Sequence, residues 1–468
     1  MEFAERAGPQ RFQQLIPSDG LSHGIRGNYT GRVPVSSQTA ILRTNRNFRL
    51  LFLGQTVSQL GDWFNSVAVF ALLLDLTGSA TAVAWMMIVQ FLPMAVVGPI
   101  AGVVVDRVDR RRLMIGTDIF RGIAVLGLLL VRTRDQVWLA YVVMALTVTG
   151  SAFFEPARTA TIPNVTSKDE LMPANALSSA TWAAMLAIGA SIGGLVTALA
   201  GREIAFVING ISFFVSAWFI SRTTYDSTPA VKAPLKGWYA LTGLPDLLEG
   251  MRYVRQSAHV SAIMFVKAGW GLAGGVLLLL TVFGQRVFPV AGSTAAGIGV
   301  LYGARGIGAG LGPIALRWIL GQTPTVMRRS IGPAYFIVGA FYIALAAAHT
   351  LPLAAAAVLF AHFGGSILWV FSTVLLQMEV PDEFRGRVFA AELALVTLTS
   401  SISSYVTGYA LDTLGFSPRA LAFGLGAAFA VPGLLWLVMN ARWKAAERLE
   451  KPEQSHHGGE EMLEGRIG

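Results

Sequence analysis

Apolar positions in this chain come in long blocks, not in the alternation of a half-buried strand or the single stripe of a soluble helix. A hydrocarbon core of ~30 Å is crossed by about 20 mostly apolar residues in helical form. Twelve such runs, bounded by charge, glycine or proline, fall near 49–74, 81–105, 113–131, 136–160, 174–200, 203–221, 259–284, 294–319, 330–348, 352–378, 388–411 and 419–440. The fourth is the weakest, because Glu155, Pro156 and Arg158 sit near its end. The pattern predicts an all-α membrane protein with twelve transmembrane helices.

The blocks divide into two six-helix halves. Expected boundaries are a flexible cytoplasmic tail over 1–46, a first half over 47–222, a cytoplasmic linker over 223–258 containing a short amphipathic helix, a second half over 259–440, and a cytoplasmic tail over 441–468. The N-terminal tail is rich in Gly, Arg, Gln and Ser and lacks the apolar centre of a signal peptide. A faint repeat supports the division. "GPIAG" at Gly98 recurs as "GPIAL" at Gly312, and "KDELMPANAL" at Lys168 aligns with "PDEFRGRVFA" at Pro381, offsets of 214 and 213 residues. Matching offsets at matching helix ends indicate parallel repeats about an axis along the membrane normal.

Composition agrees with the pattern. The 468 residues are 54% hydrophobic with a mean hydropathy of +0.57, too apolar for a soluble protein of this size. The net charge of +9 does not indicate a nucleic-acid partner, since the basic residues lie between apolar segments and form no polar face. With both termini inside, the tails and inner loops hold 27 Lys plus Arg and the outer loops hold 5. That asymmetry is the positive-inside rule, and the expected location is a cell (inner) membrane, multi-pass, as a monomer among lipids. Without cysteine there is no disulfide, thiolate nucleophile or thiolate-bound metal. No P-loop and no enzyme signature is present, so neither ATP nor a cofactor is expected to drive the process. His456 and His457 make a poor metal site, and none is expected.

Charge is scarce at 13%, yet six of the seven positions from Asp106 to Arg112 in "GVVVDRVDRRR" carry it. Asp106 is placed to accept hydrogen bonds from the first amides of helix 3 and to meet its positive dipole end. Arg107 and Arg110 to Arg112 are expected in cytoplasmic water or against lipid phosphates. The segment is either a topological anchor or a gate in which Asp106 bonds across the inner face in one state. Within helix 3 Asp118 and Arg121 share a face, as do Glu155 and Arg158 on helix 4. A four-charge cluster, static or moving, gives each desolvated ion a partner.

Further candidates lie deeper. "SQLGDWFNS" interrupts helix 1, and at about 1.5 Å per residue Asp62 sits roughly 21 Å beyond Phe48. An ionised carboxylate there is costly unless paired, for example with Arg305, and this dependence suits a proton-coupling site. Asn65, three residues on, offers a neutral partner or a cargo contact. The alternatives for Asp62 are a permanent structural bond or an oxygen-rich metal site. Glu155 and Glu392 are the next coupling candidates. Helix 8, "GIGVLYGARGIGAGLGP", presents Gly299, Gly303, Gly306 and Gly310 as a packing surface, and its Arg305 requires an acidic partner, carbonyls or an anionic ligand. Lys267 is a cavity candidate or snorkels inward, and His362 is a hydrogen-bonded packing residue or a proton relay. Trp63, Trp85, Trp182, Trp270 and Trp369 either line a cavity for an amphipathic cargo or sit at the interfaces.

These motifs resemble the major facilitator superfamily, whose signature between helices 2 and 3 is G-x-x-x-D-R-x-G-R-R; here Gly102, Asp106 and Arg107 match, Asp109 stands at the second glycine, and the arginines Arg110, Arg111 and Arg112 follow it. That substitution resembles the transmembrane secretion effector branch, which includes enterobactin-exporter-like and macrolide-efflux-like proteins. "FFEPARTATIPNV", "ANALSSA", "AFVINGISFFVSA", "LLEGMRYVR" and "PDEFRGRVFAAE" extend the match along nearly the whole chain. The helix 5 motif G-P-x-x-G-G of antiporters is altered: Gly189, Gly193 and Gly194 remain, and Ala190 replaces the proline. The resemblance implies two halves rocking about a central cavity, and a proton-coupled exporter of an amphipathic small molecule such as a drug or siderophore. The alternatives are a lipid or metal-ion carrier of the same fold, and a transporter-like receptor or scaffold without flux.

Overall fold

The computed structural model describes residues 35–105, 107–225, 244–290, 293–320 and 323–443, and among them the backbone is helical apart from turns and one isolated bridge between Val290 and Ser293. The first helices are α1 (Val35–Thr44), α2 (Arg46–Thr77), α3 (Ala80–Val105), α4 (Arg110–Leu126), α5 (Val137–Val165), α6 (Lys168–Ala200) and α7 (Arg202–Ser221). Next come α8 (Leu244–Gln256), α9 (Ala258–Trp270), α10 (Ala273–Val282) and α11 (Thr294–Leu320). The last are α12 (Pro324–Ala347), α13 (Leu351–Glu379), α14 (Asp382–Asp412) and α15 (Pro418–Ala428), whose span runs on to Trp443. Among the described residues eleven spans are long and apolar enough to cross a membrane, with α9 and α10 together making one of them. The twelfth is α11, 27 residues long, whose apolarity is reduced by Arg305 and its glycines.

Local sequence sets the helix ends. Asn45 caps α2 by accepting from the Phe48 N–H at 3.0 Å, and Gly78, at φ 65°, ends that helix in the left-handed conformation that glycine adopts without penalty. Ser167 and Glu170 form a reciprocal capping box at the start of α6. Ser417, followed by Pro418, opens α15. Ile123, Leu130, Trp138 and Leu199 are 62–79% exposed, an outward apolar face that suits lipid rather than water.

In the first half α2 packs on α6 and α7, and α4 packs on α5 and α7; in the second half α13 packs on α11 and α12, and α15 packs on α12. Among the described residues the halves meet mainly along two helix pairs, α6 with α11 and α3 with α14. Glycines permit the first contact: a Cβ on Gly194 would stand 2.8 Å from the Gly299 Cα, and one on Gly306 would strike the Ala187 backbone. Farther along the pair, a Cβ on Gly310 would stand 3.5 Å from the Ala183 Cβ, an ordinary contact. Contact between the two helices is thus less tight at Gly310 than at Gly306.

Two expectations need correction. Residues 35–44, expected within a flexible tail, form α1, because Ile41 is buried with Phe48, Leu51, Met114 and Ile220. The expected cap at Asp106 lies outside the described residues. Asp109 caps α4, its Oδ1 accepting from the Arg112 N–H at 3.0 Å. The arginines of the segment do not all remain in water. The Arg112 side chain is 89% exposed, whereas Arg110 donates to the Ala160 carbonyl at 3.1 Å and Arg111 donates to the carbonyls of Ile220, at 3.4 Å, and Ser221. The last carbonyls of α7 lack intrahelical partners and carry the negative end of its dipole, so a guanidinium docks there. Arg107 turns back to the Val103 carbonyl at 3.0 Å, and Gly102 has no atom within 4 Å of where a Cβ would stand.

Candidate functional site

A cavity of about 540 Å³ lies between α2, α4, α5 and α6. From α2 it is lined by Gln55, Gln59, Asp62, Trp63 and Ser66. At about 100° per residue these five fall in one sector of roughly 100°, so a single helix face supplies the wall. Glu155, Arg158, Thr159 and Ser151 repeat the arrangement on α5, Arg121 enters from α4, and Asn175, Ser178 and Trp182 close the side on α6.

Two ion pairs stabilise this wall. On α4 Arg121 pairs with Asp118, donates to the Ser151 hydroxyl at 3.1 Å, and lies over the rings of Phe154 and Phe213 at 4.4 and 4.3 Å. Asp118 is wholly buried, and its Oδ2 has no hydrogen-bond partner. On α5 Arg158 donates to Glu155 at 3.1 and 2.9 Å and crosses to the Gln55 Oε1 at 2.9 Å, joining α5 to α2. Asp62 stands within electrostatic range of Arg121, Asp118 and Glu155, with Asn209 beside it. Among the described residues no cation forms an ion pair with it. The four charges anticipated on helices 3 and 4 thus appear as two pairs, with Asp62 facing the same space.

Other candidates lie elsewhere. Asn65 falls about 60° outside the cavity sector of α2; it is 2% exposed and its amide donates to the Met144 sulfur at 3.3 Å. Lys267 neither snorkels nor lines the cavity. Its Nζ reaches the Glu392 Oε2 at 2.7 Å, with the side chains 5% and 3% exposed, above the Trp369 ring at 4.7 Å. Trp270 is packed edge-on against His362 at 5.6 Å where Gly365 leaves room, and His362 shares a 2.9 Å hydrogen bond with Tyr342. Trp85 meets Tyr405 of the other half at 5.5 Å. Arg305 lies 5.8 Å from the ring centre of Trp63, across the interface between halves, and 5.6 Å from that of Tyr302. Among the described residues it makes no hydrogen bond or ion pair.

Sequence reasoning passed over Gln55, Gln59, Ser151, Asn175 and Ser178. Their signal is polar side chains three and four apart within apolar helices. It also missed the closure at the end remote from the termini, where Asp412 of α14 accepts from the Ser79 hydroxyl at 2.7 Å and from the N–H groups of Ala80 and Thr81 at 3.1 and 2.7 Å. Beside it Arg286 donates to the Gly78 carbonyl at 2.5 Å and Gln285 to Asp75 at 3.4 Å. These bonds join the two halves at that end, and the cavity lies on the other side of them.

Residues 36–461 match the sequence profile of the transmembrane secretion effector family. Bacterial relatives include the MFS-type transporter YfiS of Bacillus subtilis (strain 168), 26% identical over 82% of this chain and 91% of the relative. The putative bacilysin exporter BacE of the same strain is 27% identical over 76% of this chain and 87% of its own. Macrolide efflux protein A of Streptococcus pyogenes is 24% identical over 81% and 92%. Among solved structures, a peptide transporter POT superposes with a TM-score of 0.67 at 12% identity, covering 85% of this chain and 95% of that one. A bacterial homologue of the iron transporter ferroportin, in an inward-facing state, gives 0.65 at 15% identity, over 84% and 98%. These likenesses establish an all-α transporter fold of two six-helix halves. The chain belongs to the transmembrane secretion effector family of major facilitator superfamily transporters and is a multi-pass membrane protein, not an enzyme.

Proposed function

We propose that this transporter is a proton-coupled exporter of an amphipathic small molecule. It works as a monomer among lipids in the cell inner membrane, with both termini cytoplasmic. The carrying observation is the polar cavity of about 540 Å³ in which Asp62, without an ion pair, faces Trp63, Trp182 and the paired charges of α4 and α5. An apolar cargo body packs on the two tryptophans and its polar groups meet the glutamines, Asn175 and Ser178. Protonation of Asp62 competes with the binding of a cationic cargo group at the same carboxylate. Proton entry from outside therefore promotes cargo release outward, which is the sign that export requires. The names of BacE and macrolide efflux protein A support the outward direction.

The moving bodies are the halves over 47–222 and 259–440, joined by the linker over 223–258. In this reading the structure is the inward-facing state, held by the Asp412 contacts at the outer end. The reverse movement brings the cytoplasmic ends together, where Gly102, Asp106, Arg107, Arg111 and Arg112 form the inner gate with Asp118, Arg121 and Arg158 behind it. Glu155 and Glu392, each already paired with a cation, rank after Asp62 as coupling groups. The test is transport by purified protein in liposomes under an imposed pH gradient, with a panel of amphipathic amines, peptides and siderophore-like compounds. Gradient-driven flux of any of them is expected. No gradient-driven flux across the panel contradicts the reading.

A further inference from the structure

The membrane-embedded charges away from the helix ends can be balanced one against another. Asp118 is paired with Arg121, Glu155 with Arg158, and Lys267 with Glu392. Among the described residues two groups remain, and they differ in sign and in the half that carries them: Asp62 on α2 and Arg305 on α11. They do not pair with each other. Trp63 is common to the surroundings of both: it follows Asp62 in the cavity wall and meets the Arg305 guanidinium at 5.8 Å.

An arginine keeps its proton in proteins, so Arg305, half-buried at the interface between the halves, stays charged. Tyr302 and Trp63 offer it only ring faces. A cation–π contact is weaker than a charge-assisted, two-pronged hydrogen bond, for which the planar guanidinium fits a carboxylate. Resting on the function proposed above, we infer that the cargo is zwitterionic: its carboxylate binds Arg305, its amine faces Asp62, and its apolar body lies against Trp63. Such a molecule supplies both missing counter-charges at once. It also spans the two halves, so its binding energy depends on how they are disposed, which is the differential contact a cargo needs to shift a two-state equilibrium. A cargo with an amine alone leaves Arg305 uncompensated.

Three fluorescent probes of one aromatic body separate the terms: Nε-dansyl-lysine carries an amine and a carboxylate, dansylcadaverine an amine only, and dansylglycine a carboxylate only. Their affinities for the purified full-length protein are read by energy transfer from tryptophan. Dansyl-lysine is expected to bind the unaltered protein most tightly. In Arg305→Gln both carboxylate probes should weaken about tenfold or more, the effect of losing a hydrogen-bonded charge partner. Dansylcadaverine should change little, and Arg305→Lys should recover part of the loss. Asp62→Asn should give the opposite selectivity. Equal affinities of the three probes for the unaltered protein, or an equal loss of all three in Arg305→Gln, overturns the inference. If none of the three binds while a purely cationic cargo is still driven by the pH gradient, the inference falls and the proposed function stands. Absence of any gradient-driven flux removes the proposed function itself.

Discussion

The carboxylate of Asp412, in the last turn of α14, accepts a 2.7 Å hydrogen bond from the backbone N–H of Thr81, in the first turn of α3. With Ser79 and Ala80 added, one side chain of the second half caps a helix of the first. A cap is worth about 0.5–2 kcal/mol, and here it is made between the moving bodies. Asp412→Ala should therefore shift the balance away from this conformation by about tenfold, since 1.4 kcal/mol is one decade. The chain has no cysteine, so Ser178→Cys in the cavity is a clean reporter. Its labelling by a membrane-impermeant maleimide from the terminus-bearing side should fall in the Asp412→Ala background. Unchanged labelling sinks the assignment of Asp412 as a latch.

Lys267 and Glu392 make a second prediction. Removing one member of a buried ion pair strands the other, at a cost of about 3–5 kcal/mol, whereas replacing both by apolar groups of similar size is near neutral. Glu392→Gln alone and Lys267→Met alone should each lower the thermal unfolding midpoint in detergent strongly, and Lys267→Met with Glu392→Met should restore most of it. If the single changes are as mild as the double one, the 2.7 Å contact carries no coupling energy.

What the sequence made legible follows from physics that acts locally. Apolar run length located the spans, and the twin offsets of the repeat and the signature around Gly102 pointed to the fold. The linker helix, α8, was likewise legible. What escaped are contacts between residues far apart in the chain. Lys267 and Glu392 lie 125 positions apart, and Asp412 and Thr81 lie 331 apart, so no spacing rule reaches them. The cavity face of α2 was half visible: Asp62 stood out by its charge, while Gln55 and Gln59 did not. Asn65 was assigned to the same face because three residues is nearly a turn, but the missing 60° turns it to Met144.

The arginines of the 102–112 segment give a third prediction. Arg111 docks on the final carbonyls of α7, whereas the Arg112 side chain is 89% exposed. Arg111→Gln should lower stability by about 1–2 kcal/mol through the loss of charge-assisted bonds to a helix end. Arg112→Gln should stay within about 0.5 kcal/mol of the parent, as exposed substitutions do. Parallel thermal melts of the two variants decide it, and equal effects contradict the docking of Arg111.

The central claim, that Asp62 couples cargo to protons, is tested most directly by the pH-gradient dependence of transport in liposomes containing Asp62→Asn. The variant keeps the shape of the side chain and removes its charge together with its titration. It should fold, bind the amine-bearing cargo more weakly than the parent, and carry it down a concentration gradient at a rate indifferent to the imposed pH difference. Transport by Asp62→Asn that still rises with the gradient as steeply as in the parent contradicts the account and moves the coupling role to Glu155 or Glu392.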